Sequence, residues 1–252
     1  RNQHHHARIA VDENGMILGL DDEFWHDQGG YIRTHGANVP NRTMCMMTGA
    51  YKVPAYRALC HLRLTNKTPA ATYRAPGRFE STFIRERLMD AVAEALGIDG
   101  IELRRRNLIT ADDMPFQINF DEAEAENMLL DSGDYPKLLD KALDYLDWDV
   151  LQADLVSRRA AGEMVGAGIG VFVEESGRGP KDGARISVNE DGSVTVLTGG
   201  ASLGQGFETT MGQICAAELG VSLGCITVIH GQTDLIPYGI GAHAARATGM
   251  TG

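Results

Sequence analysis

The chain has 252 residues, 43% of them hydrophobic and 23% charged, which is ordinary for a globular protein of one large domain or two smaller lobes. Its formal net charge of −11 argues against nucleic acid and anionic membranes as main partners, since both attract basic surfaces. No apolar run is long enough for a membrane span, and four cysteines without a C-x-x-C pair predict reduced thiols in a cytoplasmic protein.

The first half of the chain predicts a β-hairpin, a further strand and a long helix. Apolar and polar residues alternate on both sides of the Asp12–Gly15 turn, which is typical of a hairpin, and residues 56–66 alternate in the same way. Between Glu80 and Gly97 the apolar residues follow a helical period, and Gly97 stands at the expected C-cap. The predicted apolar face of this helix contains Ile84, Leu88, Ala91, Val92, Ala95 and Leu96.

Two more helical patterns follow. Residues 101–108 contain three adjacent arginines, Arg104–Arg106, which we interpret as a solvated or salt-bridged helix face rather than a phosphate-binding patch. Residues 135–159 continue the helical character, with Ser132 or Asp134 as the N-cap of the first helix in this stretch.

Three adjacent histidines, His4–His6, lie on the first predicted strand. Because successive residues of a strand point to opposite faces, the three cannot all bind one metal ion. We therefore assign no metal site here and interpret the run as part of a strand edge.

The second half predicts a hairpin over residues 184–200, a glycine-rich turn, a helix over Phe207–Leu219 and a strand over residues 225–231. Strands and helices come in blocks rather than in strict alternation. This order favours an α+β fold with mixed sheets and packed helices, in two lobes of residues 1–163 and 164–252.

The turn before the second-half helix contains Gly204, Gln205 and Gly206. Glycines let a ligand approach the backbone closely, and the helix start presents free N–H groups. The Gln205 amide adds two donors and an acceptor. From the residues alone, a structural turn and a ligand-binding loop are equally good interpretations.

Three blocks of the chain resemble one enzyme family, in the family's order. They are residues 65–109, residues 131–143, and residues 198–220 with 226–252. They are similar to the molybdopterin-binding region in the large subunit of the molybdenum hydroxylases, the family of xanthine dehydrogenase, aldehyde oxidase and aerobic carbon monoxide dehydrogenase. The resemblance implies a piece excised from a larger molybdopterin-binding subunit.

The resemblance also implies that two loops hold the cofactor. The residues that it assigns to cofactor binding are Leu203, Gly204, Gln205 and Gly206 in the first loop and His243, Ala244, Ala245, Arg246 and Ala247 in the second. Small residues there let backbone N–H groups reach the phosphate and the pterin. Ala245 and Ala247 stand where relatives often carry hydroxyl residues, so those side-chain hydrogen bonds are missing here.

One catalytic residue, Arg74, is implied on a loop that continues with Pro76 and Gly77. The matching arginine of the family points into the active site, where its guanidinium can stabilise negative charge that develops on a heterocycle or a carbonyl oxygen. From the residues alone, a surface ion pair at the start of the following helix is the alternative.

The residues near this arginine bear on the substrate. Ala75 stands where carbon monoxide dehydrogenases have a copper-binding cysteine, so copper(I) lacks a soft ligand. The expected reaction is hydroxylation of an aldehyde or an N-heterocycle with water as the oxygen source. Glu174 and Glu175 match a substrate-channel segment, while Arg178 and Gly179 stand where relatives place aromatic residues, so a clamp for flat purines is not expected.

The implied cofactor is molybdopterin with molybdenum, in its mononucleotide or its cytosine dinucleotide form. Iron–sulfur clusters and FAD are expected on partner subunits or domains, in a homo-oligomeric complex that takes a small-molecule substrate. The family's glutamate base and an upstream glycine–phenylalanine loop have no counterpart in these residues, so the isolated chain is expected to be inactive. The alternative is a non-catalytic domain of the same fold that binds a partner subunit or a cofactor-loading chaperone.

Overall fold

The computed structural model describes residues 2–118, 129–174, 177, 179 and 181–252. The chain divides into two units, Arg1–Val173 and Glu174–Gly252, and each contains a small mixed sheet and helices. The α+β class expected from the sequence is confirmed. The division that we expected after residue 163 falls inside the first unit.

The sheet of the first unit has the strand order β1-β2-β3. β1 (Gln3–Val11) and β2 (Ile17–Gly29) form the predicted antiparallel hairpin, and β3 (Tyr56–Leu64) pairs with β2 in parallel. The carboxylate of Asp12 fixes the hairpin turn by accepting a hydrogen bond from the backbone N–H of Asn14 at 2.9 Å. Alternate side chains of β2 are buried, but three of them, Asp22, His26 and Gln28, are polar, so an apolar–polar alternation does not mark its buried face.

The helices of this unit are α1 (Asn38–Cys45), α2 (Arg78–Leu96), α3 (Gly100–Asn107), α4 (Tyr135–Tyr145) and α5 (Trp148–Ala160), with a 3₁₀ turn at Ala111–Asp113 and a short strand pair, β4 (Phe116–Gln117) and β5 (Leu129–Leu130). Of the two candidate caps for α4, Asp134 is the N-cap, and its carboxylate accepts from Lys137 N at 3.0 Å. The sequence did not predict α1, which is short and has no side-chain hydrogen bond at its N-cap.

The buried face of α2 differs from the predicted one. Arg85, Glu86 and Met89 are buried, whereas Leu96 is exposed and Ile84 is only half-buried. The middle of the helix therefore turns two charged residues inward, and Arg78 at its start is buried as well, which an apolar period along the sequence does not indicate.

A polar network explains how α2 buries these charges. The Glu86 carboxylate accepts from Arg85 Nε at 3.0 Å, from Arg104 Nε of α3 at 2.9 Å and from the Tyr51 hydroxyl at 3.1 Å. Burial raises the pKa of Tyr51, so its hydroxyl stays protonated and donates. The predicted arginine face of α3 is thus salt-bridged, but Arg104 is buried rather than solvated, and only the two arginines after it form exposed ion pairs.

The second unit contains a sheet of order β6-β7-β8 and one α-helix among its described residues. β6 (Ala184–Val188) and β7 (Val194–Thr198) form the second predicted hairpin, and α6 (Phe207–Leu219) connects β7 to its parallel neighbour β8 (Ile226–His230). The core here consists of buried apolar residues from β7 and α6, among them Val194, Val196, Phe207, Met211 and Cys215. The glycine-rich turn lies between the end of β7 and the start of α6.

Candidate functional site

One cavity of the second unit is lined by both loops that the sequence singled out. Its volume is about 400 Å³, and its lining residues are Leu203, Gln205 and the continuous run Ala242–Thr248. Leu203 and Gln205 thus share one cavity wall with His243–Ala247. Gly204 and Gly206 belong to the same turn but do not line the cavity.

Contact between two glycines brings the two loops together. Gly199 follows β7 directly, and its backbone lies against that of Gly239 so closely that a Cβ on either residue would overlap the other. Gly241 N donates to Gly199 O at 3.3 Å, which joins the loops a second time. The cavity therefore depends on two positions where only glycine fits.

The side chain of Gln205 braces its own loop. Its Oε1 accepts from the backbone N–H of Leu203, and its Nε2 donates to Ala201 O at 3.0 Å. Gly204 and Gly206 have φ angles of 95° and 76°, in the region that favours glycine. These bonds use one N–H and one lone pair of the amide, so a second N–H and a second lone pair stay available to a ligand.

The second loop holds two successive non-glycine residues in the left-handed region. Ala244 and Ala245 have φ angles of 51° and 50°, a conformation that costs each residue about 1–3 kcal/mol. Arg246 N donates to His243 O at 3.2 Å and closes the turn. Backbone N–H groups in such tight turns form concave surfaces that favour anions.

A buried ion pair anchors the end of this loop. Arg246 Nη1 lies 2.6 Å from Asp182 Oδ2, and both side chains are fully buried. Thr251 Oγ1 also donates to Asp182 Oδ2, at 3.2 Å. The charge of Arg246 is therefore balanced inside the protein and is not offered to a ligand. Sequence analysis missed Asp182, because a single aspartate before a hairpin carries no signal of this partnership.

Arg74 lies in the first unit, on the loop before α2. Its side chain is exposed, and no hydrogen bond or ion pair holds it among residues 2–118, 129–174, 177, 179 and 181–252. Ala75 has a φ angle of 41°, and Gly77, with a φ of 81°, leaves no space for a Cβ against the backbone of α1. The ion pair that was the alternative role of Arg74 is not formed in the described part of the chain, whereas the turn that carries it is fixed.

Of the two carboxylates predicted to line the substrate channel, one lies among the described residues and one does not. Glu174 is described and exposed. Glu175 lies outside the described residues, as does Arg178. The described residues contain no group of three or more histidine, cysteine or acidic side chains placed to hold a metal ion.

The histidine run divides between the two faces of β1. His4 and His6 are exposed and lie near the Trp25 ring, at centroid distances of 6.2 and 5.4 Å. His5 points inward: its Nδ1 lies 2.9 Å from the buried Asp22 carboxylate, and its Nε2 lies 3.0 Å from Gln3 Oε1. Because a carboxylate oxygen only accepts, His5 Nδ1 donates to Asp22.

None of the helices in the described ranges combines the length and the apolar character that crossing a bilayer requires.

Comparisons with known proteins match almost the whole chain. Two family models, each described as a molybdopterin cofactor-binding domain, match residues 1–108 and 141–252. Over 252 residues the chain is 41% identical to the 6-hydroxypseudooxynicotine dehydrogenase complex subunit gamma of Paenarthrobacter nicotinovorans, covering 100% of this chain and 32% of that protein. It is 31% identical to the carbon monoxide dehydrogenase large chain of Hydrogenophaga pseudoflava, covering 100% of this chain and 33% of the relative.

Solved structures agree with these matches. Quinoline 2-oxidoreductase from Pseudomonas putida 86 superposes with a TM-score of 0.85 at 30% identity, over 98% of this chain and 32% of that one. Reconstituted CO dehydrogenase from Oligotropha carboxidovorans gives a TM-score of 0.86 at 29% identity, over 99% of this chain and 33% of that one. The chain thus spans about a third of the length of the relatives it matches.

Proposed function

This chain belongs to the molybdopterin cofactor-binding domain family of the molybdenum hydroxylase large subunits, and from that premise we propose that it holds the cofactor of an oxidoreductase that hydroxylates an N-heterocycle or an aldehyde. The balanced reaction is R–H plus water giving R–OH, two protons and two electrons. The electrons leave through iron–sulfur and flavin groups on partner subunits or domains. The complete complex is a cytoplasmic homo-oligomer.

One observation carries the proposal: both predicted cofactor loops line a single cavity, around a turn with two left-handed alanines. The donor set fits molybdopterin, because the cavity offers backbone N–H groups and a half-used glutamine amide to a ligand rich in nitrogen and phosphate oxygen atoms. We propose that the loop residues Leu203–Gly206 and His243–Ala247 hold the cofactor. When bound, molybdopterin supplies the two-electron oxidation chemistry.

The residues of this chain then bind and orient the cofactor and the substrate. Arg74 contributes an exposed guanidinium, which we assign to the negative charge that develops on the heteroatom beside the reacting carbon. Asp182 neutralises Arg246 and fixes the second loop, so the cavity keeps a defined shape without free charge. We assign Glu174 and Glu175 to the substrate channel.

The substrate class follows from Ala75 and from the relatives. No cysteine lies between Cys60 and Cys215, so the Arg74 loop offers no thiolate for copper(I), and oxidation of carbon monoxide is disfavoured. Several relatives have names that refer to N-heterocyclic compounds: 6-hydroxypseudooxynicotine dehydrogenase, nicotine 6-hydroxylase and quinoline 2-oxidoreductase. We therefore favour an N-heterocycle over an aldehyde.

The test uses the complete large subunit, purified with its partner proteins. Molybdenum and pterin are measured per subunit, and turnover is assayed with quinoline, nicotine, xanthine, benzaldehyde and carbon monoxide, using a dye acceptor in ¹⁸O-water. We expect bound molybdenum and ¹⁸O in the product of an N-heterocycle. A complex without pterin would instead support the alternative, a non-catalytic domain that binds a partner subunit or a cofactor-loading chaperone.

A further inference from the structure

The end of β2 holds the segment that leads to Arg74. Gly29 O accepts a hydrogen bond from Thr65 N at 3.0 Å, and Gln28 O accepts from Ala70 N at 2.8 Å. The chain after β3 therefore runs back along the end of β2, and Ala70 is the last residue of that contact before the arginine loop.

The Gln28 side chain strengthens this contact. It is fully buried, and its Nε2 donates to Ala70 O at 3.1 Å, so Gln28 bonds both backbone groups of Ala70. Gly36 makes room for the amide, since a Cβ there would lie 2.5 Å from Gln28 Nε2. The Oε1 atom of Gln28 is buried and has no hydrogen-bond partner among the described residues.

An unsatisfied buried oxygen lowers stability, so a methionine or leucine of similar size would suit a purely structural position better. The loop is fixed again after Arg74, where Gly77 lies against the backbone of α1. Only residues 71–76 lie between Ala70 and this second anchor. The location of the exposed Arg74 side chain therefore depends on where Ala70 is held.

We propose that Gln28 is a positioning residue for Arg74: the hydrogen bond from its side-chain amide to Ala70 O sets the path of the loop that presents the guanidinium to substrate. This inference rests on the proposed function, because it assumes that Arg74 acts on substrate. It predicts that loss of the Gln28 amide lowers kcat only because Arg74 is displaced, and not because any other residue is disturbed.

The test is a double-mutant cycle in the complete complex. Gln28→Met, Arg74→Met and the double variant are assayed with the fastest substrate of the panel above, and Gln152→Met on α5 is the matched control. We expect Gln28→Met to lower kcat on the order of 10-fold, below the roughly 100-fold that a 1 Å misplacement costs, with little change in KM. In the Arg74→Met background, Gln28→Met should have no further effect.

Amide hydrogen exchange supplies a second readout. Peptides from residues 65–77 should exchange faster in Gln28→Met, while molybdenum content and melting temperature stay at the control values. If Gln28→Met lowers the melting temperature, the double-mutant cycle is repeated with Gly36→Ala in its place. The added methyl group of Gly36→Ala displaces the side-chain amide of Gln28.

The inference is overturned if kcat is unchanged in Gln28→Met while Arg74→Met lowers it. It is also overturned if Gln28→Met lowers kcat by the same factor in the wild-type protein and in the Arg74→Met protein. If Arg74→Met turns over normally, the catalytic role of Arg74 fails, and the inference fails with it. A complex that holds no molybdenum rejects the proposed function itself.

Discussion

At the scale of single residues, Arg74 is the clearest test of the chemistry. In the complete complex, Arg74→Met should lower kcat and kcat/KM together by about 30- to 1,000-fold, because a preplaced guanidinium stabilises developing negative charge by roughly 2–4 kcal/mol. Steady-state kinetics and molybdenum content of the same samples check this. A lower melting temperature with normal turnover per metal-loaded subunit would assign Arg74 a structural role instead.

Gln205 combines two roles, bracing its own loop and offering amide groups to a ligand, and a single substitution removes both. Gln205→Ala removes the loop brace to Leu203 and Ala201 and the remaining amide groups, so cofactor binding should weaken by about 1–3 kcal/mol. The loop is exposed, so the melting temperature should change little. Molybdenum per subunit, measured after dilution and gel filtration, should fall below the wild-type value. Full occupancy would count against the assignment.

At the scale of secondary-structure elements, Glu86 is the position where α2 depends most on other parts of the chain. Glu86→Gln leaves Arg85 buried without its carboxylate and leaves Arg104 with only Asp90 as an acidic partner, and breaking a buried pair in this way costs about 3–5 kcal/mol. Urea unfolding of the variant should show this loss, while Glu94→Gln on the exposed side of the same helix should be close to wild type. Equal stability of the two variants would mean that the network contributes nothing.

The contact between Gly199 and Gly239 makes a second prediction at this scale. Gly239→Ala forces the two cofactor loops apart, so we expect loss of molybdenum from the complete complex. Gly224→Ala is the matched control, since a Cβ there meets no atom closer than 3.7 Å. Normal molybdenum content in Gly239→Ala would show that the cavity does not need this contact.

How far the sequence predicted each element depends on where its determinants lie. The two hairpins and α6 were predicted because their turn residues and glycine caps are local; Gly206 and Gly220 flank α6 with φ angles of 76° and 67°. The buried face of α2 was predicted wrongly because its charges are satisfied by Arg104 and Tyr51, which lie elsewhere in the sequence. A local period cannot show such a partner.

The same contrast between local and distant determinants applies to the candidate site. Gln205 and the loop at His243–Ala247 could be proposed from the sequence only through the family resemblance, since the residues alone fit a structural turn at Gln205 equally well. Their arrangement around one cavity could not, since it depends on the packing of Gly199 against Gly239 and on the pairing of Asp182 with Arg246. These contacts join residues that are 40 and 64 positions apart.

At the scale of the whole molecule, the chain corresponds to about a third of its relatives. We expect the 252-residue chain expressed alone to be inactive, because the family's general base is not among the residues that match here. General bases contribute on the order of 10² to 10⁴ in rate. Assays of the purified chain with quinoline, xanthine or benzaldehyde and a dye acceptor should show no turnover. Any turnover above the dye background would contradict the prediction.

The three histidines of β1 do not by themselves select one strand pairing. Asp22 is fully buried, and His5 Nδ1 lies 2.9 Å from its carboxylate. If β1 slid by one residue, a neighbouring histidine would take this place beside Asp22. The same slip would turn Arg8 toward the core and would move Ile9 and Val11, which pack against the core, to the solvent. Misaligned hairpins should therefore be rejected during folding because of the residues that follow the histidines, and three consecutive identical side chains still end in a single alignment.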